Sequence, residues 1–258
     1  MSALPEEYLT TAIEAVEIAR SLTHKYFRTR LDIDDKLDQT PVTIADRETE
    51  QAMRSLILGK HPDHGFFGEE SGDQTNDQEW RWIIDPIDGT KSFATGKPTF
   101  GTLVALLHGE TPVLGIIDHG ALNERWMGIH KRPTTHNGRP CRASKITQLS
   151  QASIYCTTLD MFDDSSFARY SSLSKACRFR AFGGDCYSYG LLSSGFTELV
   201  CEADLKPYDY LALIPVVEGA GGIITDWQGD PLTLGSGDQV LAAATGKLHQ
   251  AAIKHLNA

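Results

Sequence analysis

The stretch Trp82-Ile83-Ile84-Asp85-Pro86-Ile87-Asp88-Gly89-Thr90 decides how the rest of the chain is read. An apolar run with the character of a buried strand stops at an aspartate. A proline then denies the next position a ladder hydrogen bond, and Asp88 follows within the same turn. Gly89 and Thr90 bring a flexible backbone and a hydroxyl, where N–H groups are free to face an anion. Just upstream, Gly68-Glu69-Glu70-Ser71 supplies two more carboxylates beside another glycine. Four acidic groups bracketing one strand repel one another unless a cation sits among them. Magnesium is the simplest candidate, a hard ion that prefers carboxylate, carbonyl and water oxygens, with manganese as an alternative.

A strand end followed by Pro-Ile-Asp turns the chain so that Asp85, Asp88 and the Ile87 carbonyl face one point. Glu69 and Glu70 can complete that ion or bridge to a second. An isolated Asp-Pro-x-Asp-Gly is more simply a loop whose aspartates cap a helix; the upstream Gly-Glu-Glu-Ser argues against that reading here.

The 258 residues suffice for one large domain or two lobes sharing a core. The formal net charge of −10 argues against nucleic acid or an anionic membrane as a partner. It sits awkwardly with a phosphorylated substrate unless bound cations reverse the local sign. Five scattered cysteines, without a Cys-x-x-Cys pair, read as reduced thiols of a cytoplasmic protein rather than a disulfide scaffold or zinc site. Neither a signal peptide nor a membrane span is expected.

Apolar residues at helical spacing predict a helix from Glu6 to about Phe27 and another from Thr43 to about Leu58. Asp46 near the start of the second also reads as a charge that favours the helix dipole. Leu31 to Gln39 reads as a loop or short strand, and Asp73 to Gln78 as a polar loop. Thr102–Leu107 and Val113–Ile117 flank a turn, a hairpin pattern that Glu124–Ile129 continues. Lys131 to Arg142, rich in turn residues, is the expected boundary between an N-terminal lobe (1–140) and a C-terminal lobe (141–258). Beyond it, strands at 154–157, 197–201 and 221–225 alternate with helices at 165–176, 186–194 and 208–217. The fold class is α+β.

Gly68-Glu69-Glu70-Ser71, then Asp85-Pro86-Ile87-Asp88-Gly89-Thr90, then Asp209 ahead of Gly221-Gly222, together resemble the inositol monophosphatase superfamily over essentially the whole chain. That resemblance implies a layered α-β-α-β-α sandwich and metal-assisted hydrolysis of a phosphate monoester with two to three magnesium ions. It implies that Glu69, Asp85 and the Ile87 carbonyl hold one ion, and that Asp85, Asp88 and Asp209 hold a second. A third, weaker ion would rely on Glu69 and water. Asp46 and Thr90 match the pair that orients or deprotonates the attacking water, and Glu70 matches a second glutamate beside the site. A homodimer is implied as well. The physics agrees, because metal-bound water ionises near neutrality and phosphoryl transfer needs positioning and charge neutralisation more than covalent help. Backbone N–H groups of Gly89 and Thr90, at a helix start, suit phosphate oxygens.

The alcohol that carries the phosphate should be selected by Gly183, Gly184 and Asp185, with Glu202 close by and Asp88 and Asp209 at the metal edge. Asp185 stands where inositol enzymes usually have a small neutral residue, and a carboxylate there suits an ammonium or imidazolium group. Its other reading is a cap for the helix near Cys186. Thr90-Lys91-Ser92-Phe93, Gly184-Asp185-Cys186-Tyr187 and Pro215-Val216-Val217-Glu218-Gly219-Ala220-Gly221-Gly222 are similar to the histidinol-phosphate phosphatase branch. Histidinol phosphate is therefore the expected substrate, with inositol phosphate or another polyol phosphate as the alternative. A nucleotide bisphosphatase lacks its basic cluster, and a non-catalytic binding protein would have lost one of the matched residues. His61 and His64 read as surface or packing residues, and Arg125 as a sheet residue able to reach a neighbouring subunit.

Overall fold

The computed structural model describes residues 4–30, 33–35, 41–73 and 78–258. Its centre is an eight-stranded sheet in the order β10 (Arg139–Pro140), β9 (Thr135–His136), β8 (Glu124–Ile129), β7 (Thr111–His119), β6 (Gly101–His108), β5 (Trp80–Asp88), β3 (Gly65–Gly68), β4 (Gly72–Asp73). All neighbours are antiparallel except β3 and β5, which run parallel. A five-stranded sheet follows in the order β12 (Phe179–Phe182), β11 (Ser153–Cys156), β13 (Leu199–Glu202), β15 (Val240–Ala243), β14 (Ile223–Thr225). A separate pair joins β1 (Ile33–Asp35) to β2 (Pro41–Thr43).

Strand alternation gives each sheet two apolar faces, and helices cover them. Helices α1 (Glu6–Tyr26) and α2 (Ile44–Lys60) place Ala12, Val16, Ala19, Met53 and Ile57 on Trp82, Ile84, Val104 and Ile116 of the first sheet. Its opposite face, with Ile83, Leu103 and Ile117, meets α5 (Tyr187–Ser193), α6 (Pro207–Tyr210) and α7 (Leu213–Gly219). These helices also cover Val200, Ile224 and Val240 of the second sheet. The far side of that sheet packs on α4 (Asp164–Ala176) and α8 (Gly246–Leu256) through Tyr170, Leu173, Leu248 and Ala252. The result is the expected order of helix, sheet, helix, sheet, helix. A short helix α3 (Thr90–Ala94) projects from the end of β5.

The turn-rich segment 131–142 holds the hairpin of β9 and β10, which turns at Asn137 and Gly138, both with positive φ, and ends the first sheet at Pro140. Other expectations need correction. The single helix expected over 208–217 is two, broken at Leu211 and Ala212. Pro215 cannot donate to the Leu211 carbonyl, which removes the bond that would carry the helix through. Strands β12 and β15 and helix α8 were not foreseen. Of the predicted loops, 31–32, 36–40 and 74–77 lie outside the described residues. The cysteines are all free thiols. No helix among the described residues is long and apolar enough to cross a membrane.

Candidate active site

Strand β5 keeps its pairing with β6 up to Asp85, then shifts register before Asp88, as Pro86 requires. In that irregular turn Asp85 Oδ1 accepts from the Ile87 N–H at 2.9 Å, and Asp85 is 2% exposed. Gly89 then takes φ 84°, a left-handed conformation natural to glycine, and opens α3. From the other half of the chain, α6 brings Asp209, whose Oδ2 accepts the Lys206 N–H at 2.6 Å. Carboxylate oxygens of Asp85, Asp88 and Asp209 lie within 4.8 Å of one another.

Burial first, and then the charges of Glu69, Asp88 and Asp209, push the Asp85 carboxyl well above the carboxylate range. Asp88 is pushed up to about 7 by burial and by the charge of Asp185. Asp209 is raised by burial and by Asp88. Converging hard oxygens that resist ionisation together fit a divalent cation, which removes the repulsion. Glu69 stands beside this cluster, within hydrogen-bonding reach of Asp85. The Ile87 carbonyl accepts the Thr90 hydroxyl at 3.2 Å.

Asp46 serves two purposes, one with each oxygen. Its Oδ2 accepts the Thr43 N–H at 2.8 Å and the Thr43 hydroxyl at 2.6 Å, closing a capping box at the start of α2. Its Oδ1 lies 3.3 Å from Thr90 Oγ1, which donates to it. Burial, and to a lesser degree the charge of Glu70, raises the Asp46 carboxyl, placing Glu70 near this pair.

Glu50 went unnoticed in the sequence and holds the Glu69–Glu70 turn. It is 2% exposed, and its two oxygens accept the N–H groups of Glu70 at 2.7 Å and Ser71 at 2.8 Å. Gly68 makes room for it, since a β-carbon there would lie 2.4 Å from the Glu50 carboxyl carbon. The missed signal was an acid on the inner stripe of α2, in helical register with Met53 and Ile57.

Beside the carboxylate cluster is a cavity of about 140 Å³ lined by Asp88, Asp185, Glu202 and Asp209 together with Thr157 and Tyr189. Asp185 does not cap α5, whose N-cap is Cys186 without a side-chain cap bond. Instead its Oδ2 accepts from Ser92 Oγ at 2.6 Å and Thr99 Oγ1 at 3.4 Å, while its backbone takes φ 47°. Burial raises its carboxyl, and the nearby Lys97 and Lys91 act the other way. Glu202 is pushed up to about 6 by burial, with Thr157 and Tyr189 donating to its two oxygens at 2.6–2.8 Å. Gly89 lets Asp185 approach, because a β-carbon would sit 2.7 Å from its Cγ. Gly183 gives space to Lys97, which donates to its carbonyl, and a β-carbon on Gly184 would collide with Ser188 Oγ at 2.0 Å.

The remaining candidates lie elsewhere. His61 and His64 stack at 4.7 Å in an aromatic cluster with Tyr8, and Trp82 Nε1 donates to His64 Nδ1 at 3.0 Å, a packing role. Arg125 lies in β8, as expected of a sheet residue, and pairs within its own chain with Asp118 at 2.6 Å and Glu17 at 2.7 Å.

The profile of the inositol monophosphatase family matches residues 4–258. A bifunctional phosphatase IMPL2 of Arabidopsis thaliana is 46% identical over 90% of this chain and 70% of its own length. A histidinol-phosphatase of Chlorobaculum parvum is 38% identical over 86% of each chain. A solved inositol monophosphatase from Zymomonas mobilis superposes with a TM-score of 0.90 at 40% identity, covering 98% of both chains. The chain belongs to the inositol monophosphatase family.

Proposed function

We propose that this metal-dependent phosphatase hydrolyses histidinol phosphate, using a water activated at the carboxylate cluster. The family acts on small phosphorylated substrates and depends on a metal, usually magnesium. Glu69, Asp85, Asp88, Asp209 and the Ile87 carbonyl would hold the ions. When bound, the ions would acidify water and neutralise charge on the phosphoryl group. Asp46 takes the Thr90 hydroxyl proton, which leaves a Thr90 lone pair to receive a proton from the attacking water. Glu70 supports that pair from the adjacent turn. The N–H groups of Gly89 and Thr90 orient the phosphate oxygens.

The observation that carries the choice of substrate is Asp185. Its Oδ2 is anchored by Ser92 and Thr99, its Oδ1 has no partner among the described residues, and Asp88, Glu202 and Asp209 line the same cavity beside Met161, Leu205 and Leu213. Such a lining suits an alcohol bearing a cationic amine and an imidazole better than a neutral polyol. Gly183 and Gly184 shape the turn, and Glu202 adds its field from the wall. Histidinol-phosphatases among the relatives support this reading. The second reading, an inositol or other polyol phosphate, is supported by the inositol monophosphatase from Zymomonas mobilis. The same proposal takes residues 1–140 and 141–258 as lobes of one homodimeric subunit, active in the cytoplasm, where free thiols are at home.

The test is phosphate release from histidinol phosphate and inositol 1-phosphate by wild type and Asp185→Asn in magnesium. Losing a charge-assisted bond should lower kcat/KM on histidinol phosphate about 10- to 100-fold, with little change on inositol phosphate. Equal rates on both esters, unmoved by the substitution, would return the substrate to the second reading.

A further inference from the structure

We infer that His119 is a positioning residue, acting through Cys186 to fix Asp88 of the carboxylate cluster. This rests on the reading of Asp88 as a metal ligand. His119 ends β7 fully buried, and its Nδ1 lies 2.7 Å from the Phe100 carbonyl oxygen. A carbonyl only accepts, so Nδ1 carries the proton. In the neutral ring Nε2 is then an acceptor, and it lies 3.5 Å from the Cys186 sulfur. The Cys186 thiol thus has two acceptors, the imidazole Nε2 and the Asp88 carboxylate, and sits between them. The same residue's N–H donates to Asp88 Oδ2 at 2.6 Å. Contacts link the Phe100 carbonyl to the His119 imidazole and the imidazole to the Cys186 side chain, and the backbone N–H of that same cysteine holds Asp88 Oδ2.

The surroundings are built for this contact. A β-carbon on Gly101 would stand 2.6 Å from Cys186 Sγ and 2.8 Å from His119 Cε1, so the strand is bare where the pair packs. Tyr187 closes the other side, edge-on to His119 with ring centroids 4.8 Å apart, and is tied by its hydroxyl to Glu124 at 2.7 Å. Asp185 precedes Cys186 in a left-handed conformation with its carboxylate anchored by Ser92 and Thr99. Fixing Cys186 thus fixes two carboxylates at once, Asp88 through the backbone N–H and Asp185 through the adjoining peptide. Groups of this kind behind a ligating carboxylate set metal affinity without touching the ion.

The experiment is manganese titration of the purified full-length protein without substrate, comparing wild type with His119→Phe, Cys186→Ala and Cys186→Ser. His119→Phe and Cys186→Ala should each raise the manganese dissociation constant about tenfold. Serine, whose hydroxyl still donates to Nε2, should recover most of the loss seen with alanine. Thermal unfolding of the same samples separates this from a packing role. Lower melting temperatures with unchanged manganese affinity in both His119→Phe and Cys186→Ala would overturn the inference, as would equal loss in the serine and alanine variants. If His119→Phe fails to fold, the cysteine pair decides alone. Because no substrate is present, the outcome is independent of which phosphate ester the enzyme takes.

Discussion

Replacing Glu50 by glutamine changes one oxygen and should damage a site that Glu50 never touches. Both carboxylate oxygens are committed, one to the Glu70 N–H at 2.7 Å and the other to the Ser71 N–H at 2.8 Å. Two donors converge on them, so the ionised form is the one that fits. A carboxamide accepts one of these bonds and presents its NH₂ to the other N–H. One charge-assisted bond is lost and one part-buried donor is left facing an NH₂ group, together a cost of about 2–4 kcal/mol. For a chain of this size that is a fall in melting temperature of about 4–16 °C. The turn that loses its anchor carries Glu69 and Glu70, so magnesium affinity should fall as well. Thermal unfolding in chelator, followed by magnesium titration below the melting range, reads both effects. A Glu50→Gln protein that melts within a degree of wild type and binds magnesium equally well would refute the reasoning.

Two other predictions concern charge and the nucleophile. In chelator, Asp88 is held near pKa 7 in the folded state against about 4 unfolded, so the folded state binds the extra proton and stability rises as pH falls. From pH 8 to 6.5 Asp88 contributes on the order of 1 kcal/mol, Asp85 and Asp209 are shifted in the same direction, and His119, held down to about 4 by burial, offsets part of it. The metal-free protein should therefore melt a few degrees higher at pH 6.5, and a melting temperature that rises with pH across this window would contradict it. Asp46→Asn keeps the shape of the α2 cap but weakens acceptance of the Thr90 proton. It should lower kcat by about 10²–10³-fold with little change in KM. A loss confined to KM would remove Asp46 from the proton path.

What could be read from the chain was what lies close together in it. Asp85, Pro86, Ile87 and Asp88 announce a strand end and its carboxylates within a single turn, and Glu69 and Glu70 mark the neighbouring parallel strand. Asp209 was visible only through resemblance, because nothing local says that α6 packs against β5. Asp46 carried two readings: its Oδ2 closes the α2 capping box, and its Oδ1 accepts the Thr90 hydroxyl. The roles of Glu50, Ser92 and Thr99 were missed, and His119 was read as no more than a surface or packing residue, for one physical reason. Each acts through a partner brought near by tertiary packing, and its own surroundings in the chain resemble an ordinary helix or strand. Val240–Ala243 is a short apolar run without alternation, which periodicity cannot assign to strand rather than helix.

Asp85 and Asp88 arrive on β5, whereas Asp209 arrives on α6 after the second sheet has begun. If these three carboxylates share an ion, as proposed, its site is incomplete until α6 has docked against β5, and binding there rewards the docked state. At a hundredfold excess over its dissociation constant, a ligand of the native state adds about 2.7 kcal/mol. For the ion shared with Asp209 that gain depends on α6 being docked, whereas the proposed ion at Glu69, Asp85 and the Ile87 carbonyl needs only the first sheet. Metal starvation would accordingly loosen the seam between the sheets before either sheet melts. In native-state hydrogen exchange, the amides of α6 and of the Asp185–Cys186 turn should be the first to lose protection, ahead of those in the centre of β6.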